Sequence, residues 1–226
     1  ELPEVEVVKK SLKKTIYDLT IINIEILNKF LRYKIQEKLI KKMIKSKVLS
    51  ISRRSKYILI NLNNDYTIMF HLGMTGKIII VDENQNKYAT SFYYKSNDYK
   101  DLHNHIIFKF NKKIKLIYND VRKFGFIKVY KKSKLLESSH LKELGPEPLT
   151  KKFNINYFKS KIKKRNIFLK DILMDQKFLS GLGNIYVNEA IFLSRLSPII
   201  RVKNISHNNI VNLISNIKKV LKKAIK

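Results

Sequence analysis

Two periods of apolar residues follow each other along the chain and predict different elements. At the start, apolar residues recur every three or four positions, a stripe typical of a helix, formed by Val5, Val8, Leu12 and Ile16. We expect this helix to begin near Pro3 and to end at about Tyr17. Short apolar or alternating runs then predict eight strands, at 21–27, 48–52, 57–62, 67–72, 77–81, 106–110, 114–118 and 126–130. Turn-forming residues at 63–65 and 111–113 predict hairpins, and therefore antiparallel pairing.

The last third of the chain has the helical period. After two prolines within residues 144–149, four helices are predicted, at 154–162, 167–174, 185–193 and 206–225. Before this boundary we expect a short helix at 36–44, and a long hairpin or insertion formed by the polar, Tyr-rich residues 82–104. The pattern predicts an α+β protein with two lobes: a domain at 1–143 with the first helix and the antiparallel strands, a linker at 144–153, and a helical domain at 154–226.

Composition limits the classes to which the protein can belong. Of the 226 residues, 44% are hydrophobic, including 12 Phe and 12 Tyr, which is enough to form cores. The chain has no Cys, which excludes disulfides and thiolate metal sites within these residues. No apolar run reaches the roughly 18 residues that a membrane span requires, and no signal peptide precedes the first helix. We therefore expect a cytoplasmic protein with no membrane partner.

The charge of the chain indicates a polyanionic partner. Lys and Arg number 47 against 18 Asp and Glu, which gives a net charge of +29. The first 150 residues carry +15 and the remainder +14, so the basic character is not confined to a tail. Such a balance causes self-repulsion unless an anion offsets it, and it suits a nucleic acid held between two lobes. The alternative is a proteome that is rich in Lys, Ile and Asn.

Residues 175–190 (DQKFLSGLGNIYVNEA) contain the most unusual spacing in the chain. Gly181 and Gly183 stand just before an apolar-periodic helix, and Asn184 and Tyr186 follow at its start. Glycines permit positive φ or close approach of another group, and the start of a helix leaves backbone N–H groups pointing outward. This arrangement predicts a phosphate site. The alternative is a glycine that ends one helix before the next begins.

Six blocks of sequence, taken together, resemble the bacterial formamidopyrimidine-DNA glycosylase family, enzymes that remove oxidised purines from DNA. The blocks are 1–6 (ELPEVE), 53–57 (RRSKY), 71–76 (HLGMTG), 120–125 (DVRKFG), 144–149 (LGPEPL) and 175–190. The first and third favour this branch over the endonuclease-eight-like enzymes that act on oxidised pyrimidines. The resemblance implies an N-terminal helix with an antiparallel β-sandwich, followed by an all-helical lobe that contains a helix-two-turn-helix motif.

The nucleophile of the family corresponds to a position immediately ahead of Glu1. In the family it is the secondary amine of an N-terminal proline, which precedes the Glu that matches Glu1. The amine attacks the sugar C1′, expels the base and forms an iminium, which acidifies the C2′ protons for strand-cleaving elimination. We expect the functional chain to begin Pro-Glu. A truncated or deliberately inactivated form is the alternative.

Charged residues near this terminus have roles implied by the resemblance. Glu1 is the proton-transfer residue that assists opening of the sugar ring, and Glu4 supports it. Lys56 contacts a phosphate close to the lesion in the catalytic site. From the residues alone, Glu4 and Glu6 are equally explained as complements of the helix dipole, and Lys56 as a surface charge.

Three further residues match those that fill the hole left by a flipped base. Met74 is an adaptable apolar wedge, Arg122 is a cation able to pair with the orphaned base, and Phe124 is an aromatic blade. Met74 and Phe124 could instead belong to the core. Val121 replaces the proline usual in the family, which removes no functional group.

In the helical lobe the resemblance implies that Asn184, with neighbouring backbone amides, binds phosphate. Tyr186 and Lys170 are expected to contact DNA, Lys170 near the damaged nucleotide. Glu189 matches a family carboxylate, and a local capping or salt-bridge role is an equal alternative to catalysis.

No metal site is expected within this chain. The histidines are scattered, and although His103 and His105 could share a strand face, a histidine satisfied by hydrogen bonds is the expected state of each. Family members continue beyond the position of Lys226 into a four-cysteine zinc finger. Zinc is therefore expected only if such a finger follows Lys226.

The leading hypothesis is a monomeric glycosylase with AP-lyase activity. Its partner is double-stranded DNA that contains oxidised purines, such as 8-oxoguanine and formamidopyrimidines, or abasic sites. A non-catalytic damaged-DNA-binding relative that lacks the nucleophile is the alternative. A basic RNA-binding protein is a third hypothesis.

Overall fold

The computed structural model describes residues 1–91, 99–163 and 165–226, and contacts divide them into two compact units. The β unit comprises Glu4–Glu137, and the helical unit comprises Glu1–Pro3 with Ser138–Lys226. The α+β class is confirmed, with antiparallel sheets in one unit and helices in the other. The domain limits 1–143, 144–153 and 154–226 stay a prediction. Of the insertion expected at 82–104, residues 92–98 lie outside the described residues.

Among the described residues, the β unit contains most of the first helix and nine strands. Its elements in chain order are α1 (Leu2–Ile16), β1 (Ile21–Ile26), α2 (Glu37–Lys41), β2 (Val48–Arg54), β3 (Tyr57–Leu62), β4 (Tyr66–His71), β5 (Gly76–Val81), β6 (Lys87–Ala89), β7 (Asn104–Phe110), β8 (Lys115–Asp120) and β9 (Phe126–Lys131). Five strands form one antiparallel sheet in the order β1-β7-β8-β5-β6, and four form a second in the order β2-β3-β4-β9. The eight predicted strands are confirmed.

Both sheets contribute side chains to one apolar core. The ring of Phe70 on β4 packs against Phe108 on β7 at 5.8 Å and against Tyr118 on β8 at 6.0 Å between centroids. The predicted stripe of α1 is buried in the same core. Inward-facing residues of two sheets and one helix therefore exclude water from a shared interior. The turns at the sheet ends are attached to this packed core, which holds the functional side chains that they carry in place.

The described part of the other unit has four α-helices, which are α3 (Ile155–Ile162), α4 (Leu169–Met174), α5 (Asn184–Leu193) and α6 (His207–Ile225). Polar caps start two of them, because Asn154 accepts a hydrogen bond from the amide of Tyr157 at 3.0 Å and Ser206 accepts one from Asn209 at 3.3 Å. The apolar face of α6 is buried and meets α5 in the core. The four predicted helices are confirmed. Within the described residues, no helix combines the length and apolar character needed to cross a bilayer.

Candidate functional site

The glycine-containing turn before α5 is held together by Gln176. Its Oε1 accepts a hydrogen bond from the amide of Gly181 at 2.8 Å, and its Nε2 donates to the carbonyl of Leu182 at 2.8 Å. One side chain thus closes both sides of the turn. Gln176 was not among the predicted site residues, and its only signal was its place within the block 175–190.

Gly181 brings the N-terminal residues onto this turn. Its φ is +94°, a conformation that favours glycine, and its carbonyl accepts a hydrogen bond from the amide of Leu2 at 3.0 Å. A Cβ at this position would lie 2.7 Å from Cδ1 of Leu2. The glycine is therefore required both by its backbone torsion and by the close approach of Leu2.

The carboxylate of Glu1 occupies the start of α5. Its Oε1 accepts a hydrogen bond from the amide of Ile185 at 2.8 Å, and its Oε2 accepts a longer one from Tyr186 at 3.4 Å. A Cβ on Gly183 would lie 2.3 Å from Cδ of Glu1, so the absence of a side chain there creates the space for the carboxylate. The helix start was predicted to bind phosphate, whereas here two of its amides bind a carboxylate side chain of the protein itself.

This contact changes the expectation for the phosphate site. The amides of Ile185 and Tyr186 are already bonded to Glu1, whereas the Asn184 side chain is exposed and accepts a hydrogen bond from Asn188 at 3.3 Å. Phosphate binding by Asn184 stays a prediction, now resting on its amide group rather than on those two backbone amides.

The other predicted residues of the helical unit differ in exposure. Tyr186 is only 7% exposed and lies in the core of the unit, so its ring packs against other apolar side chains. Its contact with DNA stays a prediction that this burial does not favour. Lys170 is half-buried in the first turn of α4, and Glu189 is exposed on α5. Their predicted roles stay predictions.

In the β unit the three predicted hole-filling residues lie together. The guanidinium of Arg122 stacks 4.4 Å from the ring centre of Phe124, and its Nη1 lies 3.4 Å from Sδ of Met74. Met74 is 72% exposed and Phe124 is 45% exposed, which excludes the alternative that they belong to the core. A methionine, a cation and an aromatic ring therefore form one exposed group, which we call the wedge.

Two glycines allow the turns that carry the wedge to approach each other. Gly73 has a φ of +62°, and a Cβ there would lie 2.6 Å from the amide nitrogen of Gly125. A Cβ on Gly125 would lie 1.8 Å from the hydroxyl oxygen of Tyr118. Both positions exclude any larger residue, so the turn at 72–76 and the turn at 120–125 are packed backbone to backbone.

Lys56 lies in the turn between β2 and β3, next to a residue that Arg53 fixes. Ser55 has a φ of +56°, and its carbonyl accepts a hydrogen bond from Nη1 of Arg53 at 2.8 Å. Nε of Arg53 donates to Glu6 at 2.8 Å, and Glu6 also pairs with Lys9 at 2.6 Å. Glu6 therefore does more than complement the dipole of α1, because through Arg53 it supports the turn that carries Lys56.

The surroundings of Glu6 shift its acidity. Burial raises the pKa of the Glu6 carboxyl, but hydrogen bonds and charges from Lys9 and Arg53 outweigh burial and leave that pKa below its ordinary value. Glu4 lies half-buried in the first turn of α1, at the positive end of the helix dipole. Its supporting role in catalysis stays a prediction.

Two models of known protein families match the chain. The model of the formamidopyrimidine-DNA glycosylase N-terminal domain matches residues 1–127, and the model of the formamidopyrimidine-DNA glycosylase H2TH domain matches residues 144–226. Formamidopyrimidine-DNA glycosylase of Rickettsia felis is 38% identical over 225 residues, which are 100% of this chain and 76% of that protein. The enzyme of Rickettsia bellii is 35% identical over 225 residues, 100% of this chain and 77% of that protein.

This chain belongs to the formamidopyrimidine-DNA glycosylase family.

Solved structures of the family share its fold. The Lactococcus lactis protein in complex with DNA containing N7-benzyl-Fapy-dG has a TM-score of 0.86 and 32% identity, over 100% of this chain and 78% of that one. The same protein in complex with DNA containing an abasic site gives the same TM-score, identity and shares. The predicted fold class, including the helix-two-turn-helix motif, is thereby confirmed.

The zinc finger that the family resemblance implies does not fit the residues present. Four cysteines would hold the metal, and these 226 residues contain none. Nor do the described residues bring three His, Cys, Asp or Glu side chains together in a group that could hold a metal ion. The buried His105 instead donates from Nε2 to the carbonyl of Asp120 at 2.7 Å, whereas its Nδ1 is buried without a hydrogen-bond partner among the described residues, so the predicted histidine satisfied by hydrogen bonds is found at one ring nitrogen only.

Proposed function

We propose that this member of a family of base-excision repair glycosylases removes oxidised purines, such as 8-oxoguanine and formamidopyrimidines, from DNA and cleaves the strand at the resulting abasic site. The observation that carries the proposal is the wedge. The wedge brings an exposed methionine and an exposed aromatic ring together, and in a family that acts on single bases such side chains can enter the DNA duplex and fill the space of an extruded base. Arg122, stacked on Phe124, adds a cation beside them.

The proposed partner is double-stranded DNA that contains an oxidised purine or an abasic site. The related Lactococcus lactis protein is described in complex with such DNA. The net charge of +29 supports phosphate binding, because each phosphate that Lys or Arg neutralises releases condensed counterions. We propose a monomer that acts in the bacterial cytoplasm on the nucleoid. Zinc enters the proposal only through residues other than these 226.

The chemistry begins at the amine of a proline that precedes Glu1. Its nitrogen attacks the sugar C1′, the C1′–N bond to the base breaks, and the base leaves with the bonding electrons and takes up the proton that the amine loses. Opening of the sugar ring requires a proton on the ring oxygen, and the Glu1 carboxyl is the group proposed to transfer it. The amide of Ile185 holds that carboxyl in one orientation, which limits the rearrangement needed when the proton moves.

Elimination then cuts the strand. The iminium that links the amine to C1′ withdraws electrons, so a C2′ proton is lost and the 3′ phosphate leaves; a second elimination releases the 5′ phosphate. Lys56 and Asn184 are proposed to bind phosphates next to the lesion, and Lys170 to bind near the damaged nucleotide. Glu4 and Glu189 are proposed as supporting carboxylates. Arg53 and Glu6 fix the backbone beside Lys56, which supports its placement.

Borohydride trapping tests this proposal. A protein with Pro ahead of Glu1 is mixed with a duplex that contains 8-oxoguanine opposite cytosine, and borohydride reduces any iminium to a permanent bond. We expect the adduct to map to the N-terminal peptide and not to Lys56. The matched control begins at Glu1, and we expect it to bind the duplex and to give little or no adduct.

Three results would contradict the assignment of the nucleophile. Efficient trapping by the control would show that a primary amine suffices. An adduct on Lys56 would place the nucleophile in the β unit. Binding of damaged duplex by the proline-bearing protein, without any adduct or base release, would favour the non-catalytic alternative.

A further inference from the structure

The side chain of Asp120 connects the two turns that carry the wedge. Asp120 is fully buried at the end of β8, directly before the turn with Arg122 and Phe124. One of its carboxylate oxygens accepts a hydrogen bond from the hydroxyl of Thr75, and the other accepts one from the amide of Gly125 at 2.8 Å. A buried carboxylate requires such donors, and here they come from both turns.

Thr75 provides the second half of this connection. It follows Met74 in the chain, and its hydroxyl donates to Asp120 while accepting a hydrogen bond from the backbone amide of Arg122 at 3.1 Å. One hydroxyl therefore joins the backbone of the residue next to Met74 to the backbone of Arg122.

The backbone of Asp120 is fixed from the opposite side. His105, buried on β7, donates from Nε2 to the Asp120 carbonyl at 2.7 Å, since a carbonyl oxygen can only accept. The hydroxyl of Tyr118 donates to the carbonyl of His71, just before the turn that carries Met74, at 3.1 Å. Both turns are thus tied to the ordered strands behind them.

We propose that Thr75 and Asp120 form a latch that holds Met74, Arg122 and Phe124 as one rigid wedge, and that they are positioning residues for base flipping. The inference rests on the proposed function of the wedge. A side chain that fills the space of an extruded base keeps the base out only if it resists being pushed aside by the closing stack. The side chains of the wedge are exposed, and the latch holds the backbone of the two turns that carry them.

Thr75→Val is the variant that opens the latch. Valine has nearly the shape of threonine, but it removes the donor to Asp120 and the acceptor for the Arg122 amide together. Thr75→Ser keeps the hydroxyl and is the conservative variant expected to retain function. Thr67→Val is the matched control, because the buried Thr67 hydroxyl on β4 donates to Asn61 at 2.7 Å, away from the wedge.

The assay places 2-aminopurine beside 8-oxoguanine in a duplex and follows the rise in fluorescence when the stack opens. It reports flipping without requiring any bond to break. We expect Thr75→Val to slow the rise about tenfold at unchanged affinity for undamaged duplex, and Thr75→Ser and Thr67→Val to stay within about twofold of the wild type. Thr67→Val should still lower the melting temperature, as loss of a buried hydrogen bond predicts.

A second duplex separates positioning from general stability. When an abasic site faces 8-oxoguanine, no base pair opposes flipping, and the wedge contributes less to the flipping rate. Thr75→Val should then slow the fluorescence rise by about threefold or less. A fluorescence rise in Thr75→Val equal to that of the wild type would overturn the latch. So would equal slowing by Thr75→Val and Thr67→Val, or failure of Thr75→Ser to retain flipping.

The two proposals fail in different ways. If the wild-type protein binds the damaged duplex without any fluorescence rise, the proposed function is refuted and the latch with it. If the wild type opens the stack and Thr75→Val does so equally fast, only the latch is refuted.

Discussion

Gly183→Ala should separate catalysis from stability, because the space at Gly183 serves Glu1 and not the backbone. The φ and ψ of Gly183 are −139° and −170°, an extended conformation that alanine adopts without strain. Its added Cβ would lie 2.3 Å from Cδ of Glu1, against the 3.4 Å at which ordinary contact begins. The end of a flexible side chain can yield, so we expect the Glu1 carboxylate to move by about 1 Å or more.

The losses of stability and of excision rate can be estimated from the contacts that this movement of the Glu1 carboxylate breaks. Loss of the hydrogen bond from the Ile185 amide, which is 2.8 Å long and solvent-exposed, should cost about 1 kcal/mol of unfolding free energy, as loss of a helix cap does. A displacement of about 1 Å in a catalytic group can reduce the rate on the order of 100-fold. Excision should therefore fall far more than stability.

The measurement is single-turnover excision of 8-oxoguanine by the protein that carries Pro ahead of Glu1, together with guanidinium unfolding. Glu1→Gln is the comparator, since its amide oxygen can still accept from the Ile185 amide while the carboxylate is lost. In the Glu1→Gln background, Gly183→Ala should reduce excision by less than about threefold more, because the group it displaces no longer transfers a proton. Gly181→Ala, at a φ of +94°, should lose more stability than Gly183→Ala does.

Additive effects in the double variant would refute this reasoning. A further loss of about 100-fold in the Glu1→Gln background would mean that Gly183 acts on excision through something other than Glu1. Unchanged excision in Gly183→Ala would mean that the position of the carboxylate does not limit the reaction.

Two further predictions concern stability. The pKa of Glu6 is below its ordinary value of 4.5, so its ionised form stabilises the fold above about pH 4.5, and this contribution is lost as pH falls through the lower folded-state pKa. Glu6→Gln should therefore cost about 1–2 kcal/mol in urea unfolding at pH 7 and clearly less at pH 3, and equal costs would contradict this. Lys113 has a φ of 55°, so Lys113→Gly should raise the melting temperature by about 2–4 °C. Lys142→Gly is the control, because φ at Lys142 is not positive, and it should not raise the melting temperature. A lower melting temperature for Lys113→Gly would show that the backbone at Lys113 is not strained.

The main elements could be predicted because each has a strong apolar pattern of its own. The strand β6 (Lys87–Ala89) lies in the stretch 82–104, for which a long hairpin or insertion was predicted without strand bounds; all three of its residues are exposed, and it is recognised only by its pairing with β5. The helix predicted at 36–44 is shorter, at Glu37–Lys41, and Lys45 beyond it has a φ of 68° that no α-helix continues. Apolar periodicity shows which residues of a helix pack against the core, but it does not show the residue at which the backbone hydrogen bonds of the helix end.

The sequence identified candidate residues of the site, but it did not predict which of them contact each other. Glu1 and the turn before α5 were each identified, yet their hydrogen bond joins residues 184 positions apart. A helix start predicts an anion without telling a phosphate from a carboxylate of the same chain. Tyr186 was predicted beside Asn184, but two residues along a helix differ by about 200° in direction, so one is exposed and the other buried.

The residues that hold the site were harder to predict than those that act in it. Asp120 and Thr75 lie in the same two sequence blocks as the residues of the wedge. The sequence predicted functions for the wedge residues and none for Asp120 or Thr75. Their importance arises from donors and acceptors that meet only after β5 pairs with β8, a register that places Gly76 opposite Asp120. Polar residues in turns have many ordinary explanations, so sequence alone does not separate a latch from a loop.

The two glycines before α5 fix the residues to which the proposed nucleophile ahead of Glu1 would be attached. The carbonyl of Gly181 accepts a hydrogen bond from the Leu2 amide at 3.0 Å. Because Gly183 has no side chain, the Glu1 carboxylate can accept a hydrogen bond from the Ile185 amide at 2.8 Å. Main chain and side chain of the first two residues are thus fixed by one turn. A proline attached to Glu1 would be joined to this frame by one planar peptide link, which limits the positions that its nitrogen can reach. In the proposed enzyme, one short turn therefore positions both groups, Gly181 through the main chain of Leu2 and Gly183 through the side chain of Glu1.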